Sequence, residues 1–126
     1  MKLNLSNPSG PYSFSAYGDG YVDINGRRHT SSLVITPQSL YVEDWAGLSF
    51  ANLAEEHFSR LAQHKPEMVL LGTGTRQRFP DPRLSRALVA AHISLDVMDT
   101  GAVCRTYNIL MAEGRQVLAL ILFDPR

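Results

Sequence analysis

The chain has 126 residues, 44% of them hydrophobic, and its 12 Lys plus Arg balance 12 Asp plus Glu. That length fits one domain, residues 1–126, with one sizeable core. Zero net charge excludes the broad basic footprint of a duplex-binding protein, and the lone cysteine, Cys104, excludes an internal disulfide framework and suits a reducing cytosol.

Met1-Lys2-Leu3-Asn4-Leu5 lacks the apolar core of a signal peptide and the Arg-rich pattern of a transit peptide. The longest apolar run, Val117 to Phe123, is far below the roughly 20 residues of a membrane span. The expectation is a cytoplasmic protein with no membrane insertion.

The first half is punctuated like β structure. Tyr12 to Tyr17 alternates, Gly18-Asp19-Gly20 tolerates positive φ, and Tyr21 to Ile24 follows, which predicts a hairpin. Asn25-Gly26 is a second tight turn, leading toward Ser32 to Thr36. Pro37-Gln38-Ser39 breaks that run, and Leu40 to Trp45 resumes an extended pattern. The second half changes period. Asn52 and Glu55 have capping-box spacing, and Leu53, Ala54, Phe58 and Leu61 share a helical face that Pro66 ends. Met68 to Leu71 is apolar on both faces, as in a central strand.

Asp81-Pro82 opens a second helix whose inward stripe is Leu84, Ala87, Leu88 and Ala91. Ile93 to Val97 alternates strictly, as in a strand near an edge. A third helix starts around Asp99-Thr100 and ends at Gly114. Val117 to Phe123 is the most apolar strand and belongs in the middle of the sheet. The order predicts an α/β domain of three layers, a central mixed β-sheet covered by helices, with an N-terminal β-hairpin.

The loop after the central strand, Gly72-Thr73-Gly74-Thr75-Arg76-Gln77-Arg78, invites a nucleotide reading that its residues do not complete. Gln77 stands where the dinucleotide fingerprint needs its third glycine, and no G-K-[ST] follows. A looser site for a small anion remains. Backbone N–H groups and the hydroxyls of Thr73 and Thr75 could converge at Gly74, with Arg76 and Arg78 as forked cations. The bland reading is a tight strand exit with solvated arginines, and it is favoured. Arg83 and Arg86 extend the basic stretch, the sole feature behind single-stranded nucleic-acid binding; nucleic acid is not an expected partner.

Cys104 lies among Val103, Tyr107, Leu110 and Met111 at helical spacing, which marks packing rather than a nucleophile. His29, His57, His64 and His92 offer no metal-ligand spacing, so no metal or cofactor is expected. Asp96 and Asp99 are close in sequence, but Asp99 reads first as a helix cap. Trp45, Leu48 and Phe50 would suit a protein contact if exposed and cover a core end if not.

From Asp99 to Arg115 the chain roughly follows the pattern D-T-x-x-A-x-x-T-Y-N-x-L-x-x-E-x-R, with its alanine shifted to Ala102, after a strand ending in G-x-G. It resembles the domain-of-unknown-function 498 family, which includes the mitochondrial assembly factor three of NADH:ubiquinone oxidoreductase, over about Tyr21 to Phe123. Gly72, Gly74, Thr106, Tyr107, Asn108, Glu113 and Arg115 match. The resemblance implies a three-layer α/β fold, no established enzymatic activity and roles in assembly or interaction for the mitochondrial relatives. Asn108 inside a helix should bond a neighbouring loop, with the Gly72 loop as the expected partner, and Tyr107 and Asn108 are the motif or pocket residues to locate. Glu113 and Arg115 should tie the helix end to the final strand. The leading expectation is a non-catalytic factor for protein interaction or complex assembly, with another protein as partner. The alternative is an anion-binding protein or an undiscovered enzyme using the Gly72–Arg78 loop.

Overall fold

The computed structural model describes residues 10–125. Two glycine turns fold the first strands into an antiparallel sheet of β1 (Phe14–Gly18), β2 (Tyr21–Ile24) and β3 (Arg27–His29). Asn25 (φ +48) and Gly26 (φ +83) both take the left-handed region that a tight hairpin turn requires. That turn does not lead directly to the next core strand, as the sequence suggested. It first adds β3, whose Arg-Arg-His carries no apolar signal but is held in register against β2, Val22 opposite His29. Arg28 stacks on the Tyr21 ring and pairs with Asp23, so the polar strand has side-chain partners as well.

The main sheet has five strands: β4 (Leu33–Ile35), β5 (Leu40–Tyr41), β6 (Met68–Gly72), β7 (Ser94–Met98) and β8 (Val117–Ile121), in the order β5-β4-β8-β6-β7. β6 and β8 are parallel neighbours, with Leu70 opposite Ala119 and Leu71 opposite Leu120, and every residue of both is buried. β7 runs parallel to β6 at one edge, and β4 runs antiparallel to β8, so the sheet is mixed. The extended run expected from Leu40 to Trp45 stops at Tyr41. Glu43–Trp45 turns as a 3-10 helix that drives the Trp45 indole into the core.

Alternation along β6 and β8 sorts their side chains to two faces. Leu70, Ala119 and Ile121 join Phe14, Ile24, Val103 and Tyr107 under α3 (Thr100–Ala112) and the N-terminal sheet. Leu71, Leu118 and Leu120 join Trp45, Phe58, Leu61 and Leu88 under α1 (Glu55–Ala62) and α2 (Arg86–Ala90). Helices therefore cover both faces, the three layers expected from the order of elements.

The helix ends need small corrections. α1 begins after Ala54, whose N–H donates to His57 Nδ1 at 2.9 Å, while Asn52 Oδ1 accepts from Ser49 N–H at 2.7 Å. The capping box is thus shifted off Asn52, because that amide is used to close the preceding loop. The helix ends at Ala62, short of Pro66, and Lys65 takes φ +53 between them. Asp81 does cap its segment, but a 3-10 turn, Pro82–Ser85, precedes α2, and Ala91 of the expected stripe is exposed. Asp99 caps α3 by accepting from Ala102 N–H at 2.9 Å, and Gly114, φ +80, ends it. No helix among the described residues is long and apolar enough to cross a membrane.

Candidate functional site

The parallel strands β6, β7 and β8 bring their carboxyl ends together, where open α/β sheets commonly bind ligands. The chain leaves β6 at Gly72, where an added Cβ would stand 3.1 Å from Ile121 Cδ1 and 3.3 Å from Val103 Cγ2. The strand exit is tied from several sides. Thr73 N–H donates to the Met98 carbonyl at 3.0 Å, and Gly74 N–H donates to Thr100 Oγ1 at 3.2 Å. The Thr73 hydroxyl, 1% exposed, donates to the Arg76 carbonyl at 2.7 Å and accepts from Arg78 N–H at 3.0 Å.

Arg78 folds back over this corner. Its guanidinium donates to the Thr73 carbonyl through Nε at 3.2 Å and Nη2 at 2.7 Å, and pairs with Asp124 at 2.8 Å. The same group lies 4.6 Å above the Phe50 ring, and Asp124 accepts from Phe50 N–H. Thr73, Gly74 and Arg78 thus join β6, β7, α3 and the chain after β8. Thr75 and Arg76 stay exposed at the tip.

Tyr107 and Asn108 serve a different seam. Asn108 Oδ1 accepts from Phe14 N–H at 2.9 Å, and its Nδ2 donates to the Phe14 carbonyl at 2.7 Å. The side-chain amide thereby reproduces a strand neighbour for β1 in the middle of a helix. Tyr107 OH donates to the Tyr12 carbonyl at 2.8 Å, and its ring meets Phe14 edge-on with centroids 5.2 Å apart. Burial pushes its phenol pKa up. The expected bond from Asn108 to the Gly72 loop is replaced by this clamp, because α3 presents that face to β1. Arg105 adds a third link by donating to the Tyr17 hydroxyl.

Other singled-out residues also find neighbours. Arg115 pairs with Glu67, just before β6, at 2.8 Å rather than with the final strand. Gln116 N–H and then Arg115 hold the Glu67 carboxyl below its usual range. Cys104 is buried in the α3 core, and burial pushes its thiol up to about 12. Trp45 and Leu48 are buried and Phe50 is half-buried, so the cluster covers a core end. Among the described residues, no group of three or more His, Cys, Asp or Glu side chains is placed to hold a metal.

β7 takes the edge position that its alternation predicts, and its second side meets no strand among the described residues. There a groove of about 440 Å³ runs between β7 and the segment carrying Phe79, Pro80 and Pro82. Phe79 is 71% exposed. An aromatic residue set before two prolines, so close to an alternating edge strand, was the available signal.

Known proteins of similar sequence and shape span most of the chain. NADH dehydrogenase (ubiquinone) 1 alpha subcomplex assembly factor 3 of Bos taurus is 34% identical over 125 residues, 98% of this chain and 66% of the bovine protein. The 13 kDa major membrane protein of Francisella tularensis is 27% identical, over 97% of this chain and 99% of its own length. A crystal structure of a Bordetella parapertussis protein superposes with a TM-score of 0.83 at 35% identity, covering 94% of this chain and 100% of that one. With the family model for the protein of unknown function DUF498/DUF598 matching residues 14–122, the chain belongs to that family.

Proposed function

We propose that this chain is a non-catalytic protein-binding domain that serves the assembly of a larger complex. One observation carries the reading: similarity to a protein named as an assembly factor runs over 98% of the chain. Its partner is another protein, met in a reducing cytoplasm that suits the unpaired Cys104 thiol. The commitment of Thr73 and Arg78 to the strand exit supports this over a loop held open for an anion.

The test is made in the native host. The tagged chain should migrate on a native gel in a species larger than itself, and its deletion should leave an incomplete assembly of the co-purifying partner. A chain that migrates alone, and whose deletion leaves every large complex intact, would sink the assembly role.

A further inference from the structure

The two edges of the main sheet are not alike. β5 is two residues long, whereas β7 has five and pairs with β6 on one side only. The Met98 carbonyl accepts from Thr73 N–H, so Ser94, Asp96 and Met98 turn their main-chain groups toward β6. Strand alternation then turns those of Leu95 and Val97 outward. The Val97 carbonyl fits this orientation, because it accepts from Gln77 Nε2 at 2.7 Å on that side. Among the described residues, no partner meets Leu95 N–H, the Leu95 carbonyl or Val97 N–H.

Unpaired edges of this kind template the addition of another strand, and proteins usually blunt them with Lys, Pro or a bulge. β7 has no Lys, Pro or bulge, and its protection is limited to the Asp96 charge and the Gln77 to Pro82 segment standing beside it. The facing wall closes the edge at the Val97 carbonyl alone, through Gln77, and Pro80 and Pro82 have no N–H to offer the Leu95 carbonyl. What remains is a slot with strand hydrogen-bonding groups on one side and Phe79 and the prolines on the other. Among the described residues Asp96 is the sole charged side chain lining it, and Arg83 pairs with Asp81 and Arg86 with Glu55 outside it.

We propose that this slot takes an extended segment of a partner protein by strand addition. The segment's backbone pairs with Leu95 and Val97, its apolar side chains meet Phe79, Pro80 and Pro82, and a Lys or Arg stands opposite Asp96. This deepens the protein-binding reading and rests on it. Charge argues against a second copy of this chain as the occupant. The two-fold antiparallel register that uses both Leu95 and Val97 sets Asp96 opposite its own copy at about 4.5 Å, where like charges destabilise.

A random dodecapeptide library displayed on phage is the probe. Enriched peptides should alternate apolar residues around one Lys or Arg, and one bound as free peptide should slow hydrogen exchange at the Leu95 and Val97 amides. Asp96→Lys should weaken that peptide about tenfold and shift the selected sequence to Asp or Glu at the same place. Val97→Pro removes an outward N–H, leaves the β6 ladder whole and should weaken binding about as much; if it unfolds the protein, the charge swap decides alone. A selected sequence indifferent to Asp96→Lys, or protection confined to other amides, overturns the proposal. So does a concentration-dependent dimer that protects the same two amides, which assigns the slot to a second copy. No enrichment at all, with the host partner still captured, removes the slot and leaves the protein-binding reading standing. If that capture fails too, both fall.

Discussion

The seam between α3 and β1 and the free edge of β7 are opposites. The seam holds the most recognisable residues of the chain, Tyr107 and Asn108, and all of their polar groups given partners here meet β1 and the residues before it. The β7 edge has a plain sequence, Ser-Leu-Asp-Val-Met, yet it keeps main-chain donors and an acceptor unpaired. A conspicuous motif can thus mark a construction joint, while the surface best able to receive another chain shows little beyond alternation.

The contrast breaks most easily at Asn108. Asn108→Ala strips both the acceptor and the donor from Phe14 and should cost about 2–4 kcal/mol in denaturant unfolding. Hydrogen exchange should then speed up along β1 while the β6 amides hold. A loss below a few tenths of a kcal/mol would deny the seam its structural role.

Arg78→Ala comes next. It removes two bonds to the Thr73 carbonyl, the pair with Asp124 and the cover on Phe50, and should cost about 1–2 kcal/mol. Phosphate should leave the melting temperature of the unmodified protein unchanged. A phosphate-dependent rise abolished by Arg76→Ala would instead assign the loop an anion. Tyr107→Phe keeps the ring against Phe14, loses one bond to Tyr12 and should cost about 1 kcal/mol in the same unfolding assay.

The smallest effect is local and electrostatic. The Arg83 guanidinium, then its N–H, hold the exposed Asp81 carboxyl at about 2, against an ordinary 3.8. A depressed carboxyl adds stability that is complete above its unfolded value and is lost as pH falls through the folded one. The Arg83 amide resonance should therefore titrate near pH 2. A midpoint near 3.8 would mean that the cap is not formed in solution.

Much of the fold was legible because its signals are local. The apolar runs of β6 and β8, the Asp99 cap, the Gly114 stop and the Asp19-Gly20 turn each depend on a few adjacent residues. β3 was not, since Arg-Arg-His forms a strand only because the Asn25-Gly26 turn lays it on β2. The partner of Asn108 lies 94 residues away, and no periodicity reaches that far. The β7 slot was half legible: alternation marked an edge, but the direction of each carbonyl follows from the register with β6.

The placement of β8 has a consequence for synthesis. It is the middle ribbon of the sheet, between β4 and β6, yet it follows all its neighbours in the chain. Until it emerges from the ribosome, the β4–β5 and β6–β7 pairs share no strand, and their apolar inner margins stand bare. Nascent copies are therefore most prone to clump after β7 has emerged and before β8 follows it, and chaperone occupancy should peak in that interval and collapse once the last partner slides between the two halves.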